Sequence, residues 1–226
     1  MNRASLPVTR NERLRVILGN IQGTEILHVG CVDHQLPRSS AEMADHLHFQ
    51  LWRQFPERRL LGLDIDASQI EDLRHFGFDA IEGDAEEMDF VERFDTIVAG
   101  EIIEHLSSPG RFLKGCRRAL KQGGRLILST PNPYSIMYFL MYAKNFDRAF
   151  NMQHSCWFCP QTLRELLSRS GFEIEKLSLL DDLRPGLVNS PVYKAFSYSW
   201  KFARPLFPKR FRNTLLVVAR RPVGND

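Results

Sequence analysis

The sequence predicts an α/β protein whose mostly parallel sheet is covered by helices on both faces. Short apolar runs of about five residues alternate with helical patterns through most of the chain. Apolar runs without polar alternation are typical of strands that are buried on both sides. Alternating strands and helices favour right-handed crossovers, which leave neighbouring strands parallel. The length of 226 residues suits one such unit, so we expect 1–226 to form a single domain.

Seven strands and five helices are predicted in chain order. The strands are expected at 25–30, 60–65, 78–83, 96–100, 125–129, 172–177 and 214–220. A helix at about 10–21 comes first, and others are expected at 40–55, 67–76, 109–120 and 160–171. We therefore divide the chain into an N-terminal helix (1–21), a core (22–180), an insertion (181–212) and a last strand with a tail (213–226).

Charge is distributed unevenly along the chain. Residues 184–226 hold nine Lys or Arg and one acid, a balance of +8, whereas residues 1–183 have a balance of −5. The 181–212 insertion also contains seven aromatic residues. Local packing of a lid, contact with a membrane surface or lipid-linked substrate, and RNA binding all suit this composition. We rank membrane contact above nucleic acid as the external partner.

The cysteines and the hydropathy indicate the compartment. Only Cys156 and Cys159 are close in sequence, and no second close pair accompanies them, so we expect reduced thiols without metal. Reduced thiols fit a cytoplasmic protein. No apolar run approaches the roughly 20 residues of a spanning helix, and residues 1–7 lack the core of a signal peptide. The predicted location is cytoplasmic, with peripheral membrane contact left open.

The turn after the first strand is the first candidate ligand site. The sequence there reads Ile26-Leu-His-Val-Gly-Cys-Val-Asp-His34. A glycine directly after a strand lets the backbone approach a ligand closely. A tight turn that binds no ligand is the alternative interpretation.

Carboxylates follow the next three strands. Asp64 ends the second strand, Asp84 follows the third strand in Gly-Asp-Ala, and Glu101 follows the fourth. Ligands of open parallel sheets bind beyond the carboxyl ends of the strands, so we expect these side chains to share one crevice. The carboxylate after the second strand can accept both ribose hydroxyls of a nucleotide. For Asp84 a turn or helix-capping role is the alternative, and Asp66 is predicted to cap a helix.

The order and spacing of these motifs resemble class I S-adenosylmethionine-dependent methyltransferases. The matching features are the glycine turn, the acids after strands two to four, and the segments 120–132 and 160–172. The resemblance implies a Rossmann-like three-layer sandwich whose seven-stranded sheet ends in an antiparallel hairpin. It also implies S-adenosylmethionine as the cofactor. The cofactor-binding residues that it implies are Gly30, Asp64, Asp84, Ala85 and Glu101.

The glycine motif departs from the family pattern. Family members usually have an acid where His28 stands and glycines where Val32 and His34 stand. A turn with fewer glycines is less open to a ligand. A non-catalytic binding or scaffold protein of the same fold is therefore one alternative function.

The segment Glu101-Ile-Ile-Glu-His105 offers the strongest match and a possible metal site. Its two acids and its histidine share one face if the segment is helical. A few relatives use such an array to hold a divalent metal, but the same residues are widespread without one. We predict no metal, with Glu101, Glu104 and His105 as the alternative ligand set.

Residues on the acceptor side are expected where the strand and helix alternation breaks, after residue 133. His154 lies there beside aromatic residues, and we predict that it is a general base or a substrate contact. A packed or capping histidine is the alternative. The predicted function is methyl transfer to a small-molecule, sugar or lipid-linked acceptor, more specifically at oxygen. An RNA methyltransferase that uses the basic C-terminal region is a further alternative.

Overall fold

A seven-stranded mixed sheet organises the protein. The computed structural model describes residues 11–33, 36–37, 40–144, 153–182, 198–200 and 202–224. The strands are β1 (Glu25–Val29), β2 (Arg59–Asp64), β3 (Ala80–Glu82), β4 (Phe94–Gly100), β5 (Leu120–Pro131), β6 (Glu173–Leu180) and β7 (Thr214–Arg220). Their order across the sheet is β3-β2-β1-β4-β5-β7-β6. The first five strands run parallel, and β7 is antiparallel to both β5 and β6, which confirms the predicted fold class.

Seven α-helices have both of their ends among the described residues, and residues 198–200 and 202–203 are helical as well. The seven are α1 (Glu12–Leu18), α2 (Ser40–Asp45), α3 (Leu47–Gln54), α4 (Ala67–His75), α5 (Pro109–Ala119), α6 (Ile136–Lys144) and α7 (Pro160–Arg169). None of the described helices is both long and apolar enough to cross a bilayer. Half of the predicted insertion, namely 183–197 and residue 201, lies outside the described residues.

The helix boundaries follow local chemistry. The side chain of Asp66 accepts a hydrogen bond from the backbone N–H of Gln69 at 3.1 Å, so it caps α4 as predicted. Gly77 follows α4 with φ +86°, a conformation that favours glycine. The helix predicted over 40–55 is two helices instead, because His46 adopts an extended conformation between them.

Hydrophobic residues on both faces of the sheet give the molecule three layers. Ile97 packs with α5 and α7 on one face, whereas the next residue, Val98, packs with α1 and α3 on the other. Leu27 and Ile26 of β1 divide in the same way. Alternating side chains of buried strands produce this division. The sheet order reverses between β1 and β4, so the ends of these strands form the crevice in which ligands of such sheets bind.

Candidate functional site

A cavity of about 410 Å³ lies at the carboxyl ends of the parallel strands. Its size is within the range of small-molecule sites. It is lined by residues that follow β1, β2, β3 and β4. All five residues predicted to bind the cofactor lie in its wall, namely Gly30, Asp64, Asp84, Ala85 and Glu101. The structure therefore brings together residues that are spread over 72 positions of the sequence, as the parallel topology requires.

The turn after β1 is held by contacts from outside it. Gly30 has φ +73°, and a Cβ there would come within 3.2 Å of the side chain of Ile102. The backbone N–H of Val32 donates to Asp64 Oδ2 at 3.0 Å. The Nε2 of His46 lies 3.1 Å from the carbonyl oxygen of Val32, so this nitrogen carries the proton. His34 lies outside the described residues.

Asp64 has both a structural contact and room for a ligand. Its Oδ2 accepts the Val32 N–H, and its Oδ1 accepts the backbone N–H of Asp66 at 3.2 Å. A carboxylate oxygen has two acceptor sites, so each oxygen retains one. The side chain is partly exposed and lines the cavity. It can therefore shape the turn and accept ligand hydroxyls at the same time.

His28, which stands where relatives usually have an acid, points away from the cavity. Its ring stacks on that of His48 with centroids 5.3 Å apart, and the two Nδ1 atoms are 3.1 Å apart. Such a pair requires one protonated and one bare nitrogen. Burial, assisted by the other histidines and Arg13, lowers the pKa of His28 well below its ordinary value. Burial, followed by the charge of His46, lowers the pKa of His48 to about 3. Both rings are therefore neutral at physiological pH.

The segment after β3 combines a turn with a cavity wall. The Asp84 side chain accepts the Glu86 N–H at 2.8 Å and begins the 3₁₀ turn Ala85–Glu87. This is the capping role that the sequence left open, and Asp84 lines the cavity as well. Glu86 in turn accepts the backbone N–H of Ser107 at 2.7 Å, which joins this wall to the loop after β4.

Glu101 adopts a strained backbone conformation at the edge of the cavity. Its φ is +58°, which a residue with a Cβ adopts at a cost of about 1 kcal/mol or more. Its N–H donates to the carbonyl oxygen of Ser129 on β5 at 2.9 Å. The contact to β5 helps to fix this conformation, which turns the chain sharply into the following loop. Such strain is concentrated at functional sites.

Glu104 lies behind Glu101 and is almost completely buried. Its Oε2 accepts the hydroxyl of Thr130 at 2.9 Å, and its Oε1 has no hydrogen-bond partner in the described part of the chain. Burial, followed by the negative charge of Glu101, raises the pKa of the Glu104 carboxyl to about 8. An unpartnered buried oxygen is costly, so its retention points to a functional role.

The backbone of Glu104 brings His154 to the site. Its carbonyl oxygen accepts the N–H of Ser155 at 2.8 Å and that of Cys156 at 3.3 Å. These bonds place the ring of His154 edge-on against His105, with centroids 4.7 Å apart. His105 lines the cavity, and His154 packs behind it. The contact between His105 and His154 could not be predicted, because no sequence pattern relates His105 to a residue 49 positions later.

Glu104, His105 and His154 form the group that best fits a metal ion among the described residues. Each offers one ligand atom, and these atoms lie within 4.8 Å of one another. One carboxylate and two imidazoles suit Zn²⁺ or Mn²⁺ better than Mg²⁺, which prefers oxygen. The group shares Glu104 and His105 with the alternative ligand set, but His154 stands in place of Glu101.

The fold and the position of the cavity are those of a ligand-binding α/β protein, and comparison with known proteins identifies its class. A family model described as a methyltransferase domain matches residues 10–177. The chain therefore belongs to this family, the class I S-adenosylmethionine-dependent methyltransferases, which confirms the predicted family and its cofactor, S-adenosylmethionine.

Individual relatives agree with this class. A probable S-adenosylmethionine-dependent methyltransferase of Mycolicibacterium smegmatis is 28% identical over 156 residues, covering 68% of this chain and 53% of that protein. A ubiquinone biosynthesis O-methyltransferase of Roseobacter denitrificans is 27% identical over 190 residues, covering 80% and 68%. The chain thus spans about half of the first relative and about two thirds of the second.

A solved structure shows the same fold. The crystal structure of a SAM-dependent methyltransferase from Archaeoglobus fulgidus superposes with a TM-score of 0.60 at 19% identity. The match covers 92% of this chain and 91% of the other. At this identity the comparison supports the architecture and leaves the acceptor to be inferred from the site.

Proposed function

We propose that the protein transfers the methyl group of S-adenosylmethionine to a hydroxyl oxygen of a small-molecule, sugar or lipid-linked acceptor. The observation that carries this proposal is the continuity of the cavity wall from the strand-end carboxylates to His105. One crevice thus offers a nucleotide site and a basic side chain. The matched relatives named as ubiquinone biosynthesis O-methyltransferases favour oxygen as the acceptor atom.

The cofactor half of the proposal assigns one role to each strand end. Asp64 accepts the ribose hydroxyls, since both of its oxygens retain an acceptor site. Asp84 accepts a hydrogen bond from the adenine amino group, and the backbone N–H of Ala85 contacts the adenine ring. Gly30 allows the turn to approach the cofactor closely. Glu101 forms the wall towards the methyl group.

The acceptor half centres on the paired histidines. Methyl transfer from a sulfonium is an in-line displacement, so the site must align the acceptor oxygen and exclude water. A hydroxyl becomes a better nucleophile when a base removes its proton. His154 is the proposed base or substrate contact. It does not line the cavity itself but packs against His105, which does, so the two histidines would act on the acceptor together. The buried Glu104 backbone holds the segment that carries His154.

A divalent cation is a second candidate for the same group. Glu104, His105 and His154 would hold it, and the unpartnered Oε1 of Glu104 favours this possibility. When bound, such an ion supplies a Lewis acid that lowers the pKa of an acceptor hydroxyl. Metal analysis of the purified protein, before and after dialysis against a chelator, distinguishes the two roles. Full activity in a metal-free preparation would leave His154 as the base.

Calorimetry with S-adenosylmethionine and S-adenosylhomocysteine tests the proposal first. We expect both to bind the folded protein, whereas absence of heat and of thermal stabilisation would support the scaffold alternative. Radiolabelled methyl transfer to phenols, polyols, amines and RNA then tests the acceptor. Labelling of amines alone would refute oxygen as the acceptor atom. Labelled RNA, with an affinity that falls steeply with salt, would support the RNA alternative.

His154→Ala tests the acceptor half separately. We expect turnover to fall about 100-fold to 10,000-fold, the usual contribution of a general base. Binding of S-adenosylmethionine should be unchanged, because His154 lies behind the cavity wall. The matched control is His75→Ala, at the exposed end of α4. Equal turnover in both variants would contradict the assignment of His154.

A further inference from the structure

The described residues before β7 lie at the same edge of the sheet as the cavity. Because β7 is antiparallel to β5, its first residue, Thr214, pairs with Pro131 at the end of β5. The N–H of Asn132 donates to the carbonyl oxygen of Asn213 at 2.8 Å, and its side-chain amide donates to the carbonyl of Arg210 at 2.9 Å. The chain before Thr214 is therefore anchored at the carboxyl edge of the sheet.

A buried carboxylate anchors the other side of this segment. Asp181, directly after β6, accepts the indole N–H of Trp200 at 3.1 Å. The same side chain forms ion pairs with Arg204 and Arg212, both at 3.8 Å. These contacts hold the backbone of the segment while leaving its outward side chains available to a partner.

The outward side chains of this segment are apolar and basic. Phe202 is 85% exposed and Leu206 is 83% exposed, while Phe207 packs partly on Trp200 with ring centroids 5.3 Å apart. Large apolar side chains with this exposure in one short segment mark an interaction site. Lys209 and Arg210 are exposed directly after them, and the described residues 198–200 and 202–224 contain six basic residues and no acid.

We propose that the apolar-basic surface formed by Phe202, Leu206, Phe207, Lys209 and Arg210 binds the headgroup region of an anionic lipid bilayer. Exposed apolar side chains flanked by Lys and Arg are the combination that interfacial membrane segments use. The aromatic and aliphatic tips enter the boundary of the acyl chains, and the basic groups pair with anionic headgroups. The complementary charge favours this occupant over a neutral protein surface.

Membrane binding would place the methyl-acceptor crevice against the lipid. Since the surface and the cavity share one edge of the sheet, a lipid-linked acceptor would reach the site without leaving the bilayer. This consequence rests on the proposed methyl-transfer function and selects the lipid-linked acceptors among those named for it. The membrane contact itself does not depend on catalysis.

Vesicle flotation tests the proposal. The full chain is mixed with vesicles of phosphatidylcholine alone or of phosphatidylcholine with 30% phosphatidylglycerol, in a series of salt concentrations. We expect binding to the anionic vesicles only, with an affinity that falls as salt rises. Lys209→Glu/Arg210→Glu should weaken binding at least 25-fold, since each basic residue near such a surface contributes about fivefold. The double variant Phe202→Ser/Leu206→Ser should no longer float with the anionic vesicles, because it lacks the apolar side chains that enter the bilayer.

The matched control is Val223→Ser. Val223 is 71% exposed but follows the opposite end of β7, beside Gly123. It should float like the unaltered protein. Equal flotation of Phe202→Ser/Leu206→Ser would overturn the proposal, as would absence of binding to both vesicle types. A dimer that becomes a monomer in this double variant would also overturn it, because the surface would then join two copies.

Calorimetry with S-adenosylmethionine on the same preparations separates the two hypotheses. If the protein binds the cofactor but no vesicles, only the membrane-binding proposal is refuted. A protein that floats but binds no cofactor supports the membrane contact and refutes the proposed function.

Discussion

Replacement of Asp64 by asparagine gives the sharpest test of the cofactor site. Asparagine keeps the size of the side chain but replaces one acceptor oxygen by an NH₂ group and removes the charge. In the structure both carboxylate oxygens already accept a backbone N–H, from Val32 and from Asp66. The amide can therefore satisfy only one of these donors, and at most one ribose hydroxyl retains its original acceptor.

The magnitude follows from the lost hydrogen bond. A hydrogen bond to a charged group contributes about 1.5–3 kcal/mol. Losing one such bond to the ribose weakens binding of S-adenosylmethionine about 10-fold to 150-fold. Folding should be less affected, because Asp64 is only partly buried and the amide oxygen still accepts one of the two backbone N–H groups.

Isothermal titration with S-adenosylhomocysteine measures this difference, and Asp66→Asn is the matched control. Asp66 lies two residues away and caps α4, a role that asparagine fulfils equally well. Its variant should bind the cofactor with unchanged affinity. Equal affinities of both variants, in protein with an unchanged thermal unfolding midpoint, would refute the assignment of the ribose to Asp64.

Three further predictions concern other parts of the molecule. His28 and His48 are buried and neutral in the folded state but titrate near 6.5 when unfolded, so their contribution to stability is present above pH 6.5 and is lost as the pH falls. At pH 5 both histidines are protonated in the unfolded state, which should lower the free energy of unfolding by roughly 4 kcal/mol relative to neutral pH, as urea denaturation would show. The His48→Gln variant should lose about half of this pH dependence. Cys159 is partly exposed, and its hydrogen bonds to Thr162 lower its pKa to about 7, so it should react with iodoacetamide at pH 7 before the other cysteines, as peptide mass spectrometry would show. Gly62→Ala should destabilise the protein, as thermal unfolding would show, because its Cβ would lie 2.7 Å from the sulfur of a buried cysteine; an unchanged midpoint would contradict this.

The sheet could be predicted because most of its strands contain a short apolar run, whereas apolar and polar residues alternate in β6. Each strand was located within a few residues, since a buried parallel strand leaves a plain sequence signal. The boundaries were less accurate. The strand predicted at 125–129 runs over Leu120–Pro131, because its first residue, Leu120, also pairs with Phe94 of β4. Such pairing depends on the neighbouring strand and leaves no local pattern.

The predicted cofactor residues share a cavity because topology alone places them there. The carboxyl ends of parallel strands lie at one edge, so residues that directly follow the strands must approach each other. The position of His154 follows no such rule. It depends on the N–H groups of the next two residues, Ser155 and Cys156, which donate to the carbonyl oxygen of the distant Glu104. Backbone hydrogen bonds of a loop cannot be identified from side-chain types.

The turn after β1 shows how a site can retain its shape when its usual glycines are absent. In the described part of this turn Gly30 and Asp33 have positive φ angles, +73° and +61°, and aspartate tolerates this conformation better than most residues with a Cβ. Cys31, next to Gly30, is completely buried. The space for Cys31 exists because Gly62, on the neighbouring strand, has no side chain. His46 and Asp64 then hold Val32 from both sides through its carbonyl oxygen and its N–H. The conformation of the turn is thus determined by β2 and by the start of α3. A degenerate glycine motif therefore does not by itself indicate a lost cofactor site, provided that the residues beneath the turn supply the missing contacts.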